Sequence, residues 1–164
     1  MDKNLGFKRM VLLAVVTAFV MAFPVLAVAG IEADHAKVVK MSGEAQVLKA
    51  GSTDWTALSQ DMILSEGDTL KTGTNTELIL ELTGGAKTAE VTVRADTEMS
   101  FDTFRHEAEA GNDQTLLDVT MGGILIQAEK LRGESKFEVK TPTSIAGIRG
   151  TIFEVQVSPS GTEI

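Results

Sequence analysis

Runs of alternating apolar and polar residues are the feature that most limits how this 164-residue chain folds. In segment 76–82, the leucines at every second position share one face opposite two glutamates, as in a strand with one buried and one solvated face. Ten segments are predicted strands on this pattern: 37–41, 44–49, 69–72, 76–82, 88–94, 98–105, 115–120, 124–129, 136–141 and 151–157. Segments 57–64 and 106–110 are each predicted to form at most one helical turn, too little helix to organise a fold.

The predicted fold class is all-β, in the form of a compact roll of short strands. Clusters of Gly, Ser, Asn and Asp separate the strands, as turns do. Strands spaced so closely suit either a β-solenoid-like roll or a two-sheet sandwich. Segment 115–153, whose strands follow one another like successive coils, favours the solenoid-like roll.

Segment 137–153 contains a strand, a crossing with one proline and two glycines, and the start of a second strand. Proline fixes its own φ and glycine permits backbone shapes that a Cβ forbids, so the crossing has a defined shape. Its order of Thr-Pro, small residues and Arg-Gly-Thr-x-Phe resembles the FecR domain family, and weaker similarity covers residues 38–157. The motif residues, to which we assign a structural role, are Thr141, Pro142, Gly147, Arg149, Gly150, Thr151 and Phe153.

Arg149 and Trp55 are the two candidate contacts for a partner. In one interpretation, Arg149 is a structural clamp that hydrogen-bonds the carbonyls of residues 141–143. In the other, its planar guanidinium binds a carboxylate or carbonyl of a ligand or partner. Trp55 follows a polar turn and is predicted to lie in the core, with a platform for sugars as the alternative.

The first 29 residues have the features of a signal peptide: a basic start, an apolar segment and the small-residue sequence Ala27-Val28-Ala29. Cleavage after Ala29 predicts a periplasmic or secreted protein. Without cleavage, the apolar segment is about long enough for a membrane anchor, which needs roughly 20 residues. Residues 30–36 are predicted to be a short tether between the cleavage point and the first strand. One all-β domain is predicted to span 37–164. A turn at 158–161 leads into the start of another strand, so we expect the domain to be truncated at 164 or to end with an open edge.

Charge and composition point away from nucleic acid and from catalysis. The net charge of −8 becomes −10 when the first 29 residues, with a net charge of +2, are removed. Lys and Arg are dispersed, so no nucleic-acid partner is expected. The chain has no cysteine and no tyrosine, and its two histidines, His35 and His106, are predicted to lie on the surface without metal-ligating neighbours. No catalytic residue, metal or cofactor is therefore expected.

Paired carboxylates, such as Glu66 with Asp68 or Glu107 with Glu109, are the one pattern that an enzyme acting on glycans would need. Such pairs arise by chance in a chain this acidic. The predicted function is therefore the one that the resemblance implies: a non-catalytic extracytoplasmic interaction or sensory module that binds a protein partner or a cell-envelope component.

The resemblance also implies a regulatory pathway. FecR-like domains are commonly the outer part of a membrane-spanning regulator that relays the occupancy of a transporter to a sigma factor. Only residues 1–9 precede the apolar segment here, too few for a sigma-binding domain in the cytoplasm. Two alternatives stay open: an envelope enzyme acting on glycans through paired carboxylates, and a membrane-anchored regulator of a sigma-factor pathway with an uncleaved N-terminal helix.

Overall fold

The computed structural model describes residues 34–84, 86–107, 112–131, 133–150 and 152–164. The predicted signal peptide 1–29, the first four residues of the predicted tether and the motif residue Thr151 lie outside these ranges. No helix of the described ranges is long and apolar enough to cross a membrane.

Thirteen strands make up the secondary structure of the described residues, and no helix occurs among them, so the all-β prediction is confirmed. The strands are β1 (His35–Ser42), β2 (Ala45–Leu48), β3 (Trp55–Ala57), β4 (Ile63–Leu64), β5 (Thr69–Thr72), β6 (Glu77–Gly84), β7 (Ala86–Val93), β8 (Glu98–Glu107), β9 (Asn112–Ala128), β10 (Lys136–Lys140), β11 (Ile145–Ile148), β12 (Ile152–Ser158) and β13 (Gly161–Glu163).

Strand β9 belongs to two sheets and joins them. Its C-terminal half pairs with β7 and β12, and its N-terminal half pairs with β8 and β10. The first sheet has the order β4-β1-β6-β7-β9-β12-β13, and the second has the order β3-β2-β5-β8-β9-β10-β11. Every pair is antiparallel except β9 with β10. Only that pair has the parallel stacking of a solenoid, so the two-sheet alternative describes this fold better.

At two of the points where the chain passes from one sheet to the other, a glycine lies in the same surroundings. Gly43, between β1 and β2, has a φ of 92°, and Gly122, within β9, has a φ of 87°. The hydroxyl of Thr76 accepts a hydrogen bond from the amide of the residue after Gly43 (3.0 Å), and that of Thr97 does the same after Gly122 (3.0 Å). A Cβ at either glycine would clash with the facing threonine, so both crossings require glycine.

Buried apolar side chains from both sheets form one core. Leu80 and Ile124 of the first sheet and Phe101 and Val139 of the second are fully buried. The predicted alternation is confirmed, because the three leucines of β6 are buried while its glutamates are on the other face. The core thus combines residues far apart in the sequence.

Several predicted boundaries were wrong. Segments 115–120 and 124–129 are one strand, because β9 bends at Gly122 and stays paired on both sides of the bend, with β8 and β10 before it and with β7 and β12 after it. Segment 57–64 contains the last residue of β3 and the whole of β4 instead of a helical turn. Strand β8 continues through His106 and Glu107, where a second helical turn was predicted. Strand β1 begins at His35, so the tether predicted to reach residue 36 is shorter than expected.

Candidate functional site at the edge strand β11

The crossing after β10 is closed by hydrogen bonds between Thr141 and Ser144. The amide of Thr141 donates to the Ser144 carbonyl (2.8 Å), and the amide of Ser144 donates to Thr141 Oγ1 (3.1 Å). Thr141 is buried, whereas Pro142 is exposed. Thr162 of β13 contacts the same turn through hydroxyl bonds to Thr141 (3.2 Å) and Thr143 (2.8 Å). The Thr-Pro pair therefore forms a specified turn that also binds the last strand.

Strand β11 lies at the edge of the second sheet, since β10 is its only partner among the described strands. Thr141 and Ser144 form a hydrogen-bonded pair, and such pairs recur at every second residue of an antiparallel ladder. The next ones on β11 are therefore Ala146 and Ile148. The backbone N–H and C=O groups of Ile145 and Gly147 consequently point away from β10, where no described strand binds them.

The side chains beside this edge offer one apolar group and three charges. Ile145 is 67% exposed. A groove of about 260 Å³ follows β10 and β11 and is lined by Lys136, Glu138 and Arg149, among others. Neither cation forms an ion pair with another described residue. The groove therefore has two free cations and one carboxylate, on a protein whose net charge is −8.

Arg149 does not act as the predicted clamp. It is exposed, and no hydrogen bond within the described ranges joins its side chain to the carbonyls of residues 141–143. Thr141 and Ser144 hold that turn instead. The position of Arg149 in the groove fits the other interpretation, in which its guanidinium binds a partner.

The two glycines of the motif have different roles. Gly150 has a φ of 64°, and a Cβ there would lie 3.0 Å from the Cα of Lys130. Gly147 has no such φ, and a Cβ there would meet nothing within 4 Å. Gly150 is therefore required by the backbone, whereas Gly147 leaves the surface of β11 open. Phe153, farther along the motif, packs against the core from a partly buried position.

Trp55 is not the core residue that was predicted. It begins β3, the edge strand at the other end of the second sheet, and its side chain is only partly buried. Lys71 Nζ lies 4.2 Å from the ring centroid, a cation–π contact that covers one face of the ring. The other candidate contact thus lies far from β11 in strand order.

The carboxylate pair Glu66 and Asp68 has a structural role in the described part of the chain. Asp68 is 2% exposed, and its carboxylate accepts bonds from Lys49 Nζ (2.6 Å) and from two backbone amides at 2.9 Å. Glu66 accepts a bond from the amide of Phe104 (2.9 Å). These bonds occupy both oxygens of Asp68 and one oxygen of Glu66. The side chains of the other predicted pair, Glu107 and Glu109, lie outside the described residues.

A cluster of Asp34, His106 and Asp113 contradicts the prediction that the histidines lack metal-ligating neighbours. His106 Nδ1 lies 2.6 Å from Asp113 Oδ1, and this hydrogen bond raises the pKa of His106. Asp34 is 5% exposed, and burial raises its pKa to about 6, with the nearby Asp113 carboxylate adding to the effect. Sequence reasoning missed the cluster because the first and last of its members are 79 positions apart, and only strand pairing brings them together.

Comparison with known proteins places the motif in a family. Residues 68–164 match the family described as FecR protein. The chain belongs to this family. No curated protein and no solved structure matches it. The matched range contains β11 and the whole motif, which agrees with the predicted resemblance, but it begins at Asp68 rather than near Val38.

Membership of the FecR family supports a regulatory or sensory role in signalling. The family is a non-enzymatic, regulatory one. The motif lies within the matched range and forms the turn and the open edge of β11 in this chain.

Proposed function

We propose that this protein is an extracytoplasmic, non-catalytic binding module of a signalling pathway, and that it binds an extended segment of a partner protein at β11. The segment adds as a further strand to the second sheet. Main-chain hydrogen bonds supply affinity in this mode of recognition, and neighbouring side chains supply specificity.

The observation that carries this proposal is the open edge of β11. The backbone groups of Ile145 and Gly147 point outwards, and an edge with unpaired N–H and C=O groups is a template for another strand. Natural proteins commonly block such edges with charged side chains or proline. Here the edge carries an apolar side chain at Ile145 and no side chain at Gly147, so a second backbone can approach closely.

The groove beside the edge indicates which segment fits. Lys136 and Arg149 are exposed cations without an ion pair in the described ranges, and Arg149 can bind a carboxylate with two parallel hydrogen bonds. Ile145, the first residue of β11, offers an apolar contact. An extended segment with an apolar residue and a nearby carboxylate complements this surface.

An extracytoplasmic location rests on the signal-like N-terminus. Its basic start, apolar segment and Ala27-Val28-Ala29 sequence together favour export and cleavage after Ala29. A partner in the cell envelope follows from export, and a protein partner is favoured over glycan because strand addition uses peptide groups on both sides.

Crosslinking in living cells of the native host tests binding site and location together. A photoreactive amino acid in place of Ile145 is expected to form an adduct with one protein, recovered in the envelope fraction, in which this chain begins at Gly30. The same substitution at Ile63, which is 43% exposed on the edge strand β4, serves as the matched control and is expected to give no such adduct. An adduct of equal yield from both positions, or a retained residue 1–29 segment, would contradict the proposal.

The affinity of the purified partner for variants of the protein then tests whether β11 and Arg149 form the binding site. Ile145→Lys and Arg149→Met are each expected to weaken binding at least tenfold without lowering the melting temperature, because neither side chain is buried or hydrogen-bonded in the described structure. Ile63→Lys is expected to leave the affinity unchanged. Unchanged affinity in both of the first two variants would show that the partner binds elsewhere, and binding to purified cell-wall glycan that Ile145→Lys does not reduce would replace the proposal.

A further inference from the structure

Three potential metal ligands meet where β1 begins beside the β8–β9 pair. Asp34 immediately precedes β1, His106 lies near the end of β8, and Asp113 lies near the start of β9. His106 and Asp113 are directly paired in the ladder, which places their side chains together. One ligand atom of each of the three residues lies within 4.8 Å of the other two.

The burial of Asp34 without hydrogen bonds is a second, independent indication that a ligand binds here. Its residue is 5% exposed, and neither carboxylate oxygen has a hydrogen-bond partner. Buried carboxylates are normally paired, hydrogen-bonded or bound to a metal, since an isolated buried charge costs several kcal/mol. Among the described residues, Asp34 is the only one whose buried side-chain oxygens lack a partner. Its unused acceptors belong to the same cluster as His106 and Asp113.

We propose that Asp34, His106 and Asp113 bind a divalent transition-metal ion, with Zn²⁺ as the best fit. One imidazole nitrogen and two carboxylate oxygens are ligands that Zn²⁺ commonly takes, and three protein ligands leave a fourth position for water or for a group of a partner. Ca²⁺ and Mg²⁺ fit less well, because they prefer six or more oxygen ligands and rarely use imidazole.

The ion would also have a structural effect. It would join the residue that leads into the first strand of the first sheet to the end of the β8–β9 pair in the second sheet. The charge of the ion would balance the two carboxylates that now lie close together. The site would therefore stabilise the position of the first residues of β1 against the β8–β9 pair, independently of partner binding at β11.

Metal titration of the full protein, dialysed first against EDTA, tests the site. Calorimetry is expected to show one Zn²⁺ per chain with a dissociation constant of micromolar or lower, and saturating Zn²⁺ is expected to raise the melting temperature by several degrees. Ca²⁺ and Mg²⁺ are expected to do neither. Stabilisation by Ca²⁺ or Mg²⁺ instead of Zn²⁺, or a Zn²⁺ affinity only in the millimolar range, would overturn the assignment.

Variants distinguish this site from unspecific zinc binding. Asp34→Asn and His106→Gln are each expected to weaken Zn²⁺ binding at least tenfold and to abolish the rise in melting temperature. His35→Gln removes the other histidine, which lies outside the cluster, and is expected to bind Zn²⁺ like the unmodified protein. Equal losses in His35→Gln and His106→Gln would contradict the proposal.

Asp34→Asn also controls for misfolding. Because it removes a buried charge without a partner, it is expected to melt in EDTA at the same temperature as the unmodified protein or at a higher one. In saturating Zn²⁺, the unmodified protein should melt at the higher temperature. A Zn²⁺-induced rise of the same size in Asp34→Asn would show that Asp34 is not a ligand.

Discussion

Replacement of Thr97 by valine tests the crossing at Gly122. Valine has nearly the shape of threonine, so the substitution removes the hydroxyl while leaving the volume of the side chain. Thr97 is 1% exposed, and its hydroxyl accepts a hydrogen bond from the amide of Gly123 (3.0 Å) and lies 3.2 Å from the Gly123 carbonyl, to which it donates. That carbonyl also accepts a bond from the amide of Arg94 (2.9 Å), so it keeps a partner in the variant.

The expected cost follows mainly from the amide of Gly123, because the carbonyl of Ala95, which also loses a bond to the hydroxyl (3.2 Å), is only partly buried. The buried amide of Gly123 is left unsatisfied, which costs about 1–3 kcal/mol. We expect Thr97→Val to lower the free energy of unfolding by about 2 kcal/mol, measured by urea denaturation with an unchanged m-value. An effect confined to the midpoint would show that the loss is one of stability rather than of compactness.

The corresponding threonine at the other crossing is the internal comparison. Thr76 makes the same bonds to the residue after Gly43, but that residue, Glu44, is exposed, so water can satisfy its amide when the hydroxyl is lost. Thr76→Val is therefore expected to cost only about 1 kcal/mol. Thr56→Val, at an exposed position of β3, is expected to cost less than about 0.5 kcal/mol. A cost for Thr76→Val as large as that for Thr97→Val, or a cost for Thr97→Val as small as that for Thr56→Val, would contradict the role assigned to the Thr97 hydroxyl.

Two further pairs of substitutions test the role of Asp68 and that of Gly150. Asp68→Asn is expected to lower the free energy of unfolding by about 2–3 kcal/mol, because its amide would turn a donor towards one of the N–H groups that the carboxylate now binds. Asp61→Asn is the control: Asp61 has a φ of 66° that asparagine tolerates and an exposed ion pair, so a change below about 0.5 kcal/mol is expected, and equal effects would argue against the role of Asp68. Gly150→Ala is expected to cost about 1–2 kcal/mol because of its φ of 64° and its proximity to Lys130, whereas Gly147→Ala is expected to be neutral or slightly stabilising. Urea denaturation of both glycine variants checks this, and a Gly147→Ala loss as large as that of Gly150→Ala would contradict the different roles assigned to them.

Most long strands were predictable because each buries one face. The alternation of leucine and glutamate in β6 is a local signal, and the burial of those leucines reproduces it. The strands β3 and β4 have only three and two residues, too few for a period of two to be visible. Their existence depends on a neighbouring strand that supplies hydrogen bonds, which is a property of the fold and not of the segment.

The continuity of β9 was hidden by its own glycines. Two consecutive glycines normally indicate a turn, and Gly122 has the positive φ that such turns use. Here the bend transfers the strand from one sheet to the other, and Thr97 holds it there. Whether a glycine pair ends a strand or bends it is decided by what faces the glycine, in this case a threonine 25 positions away.

In the candidate site too, some features depend on residues close in the sequence and others on residues that only the fold brings together. The motif was recognisable in the sequence, and its Thr-Pro turn depends on bonds between residues three positions apart. The role of Arg149 was not, because a clamp and a free guanidinium have the same sequence and differ only in which carbonyls lie within reach. In the fold, bonds between Thr141 and Ser144 close the turn without a contribution from Arg149. Arg149 is therefore exposed beside the open edge of β11. The motif residues thus build a strand edge and place beside it, among the described residues that line the groove, a guanidinium without an ion pair.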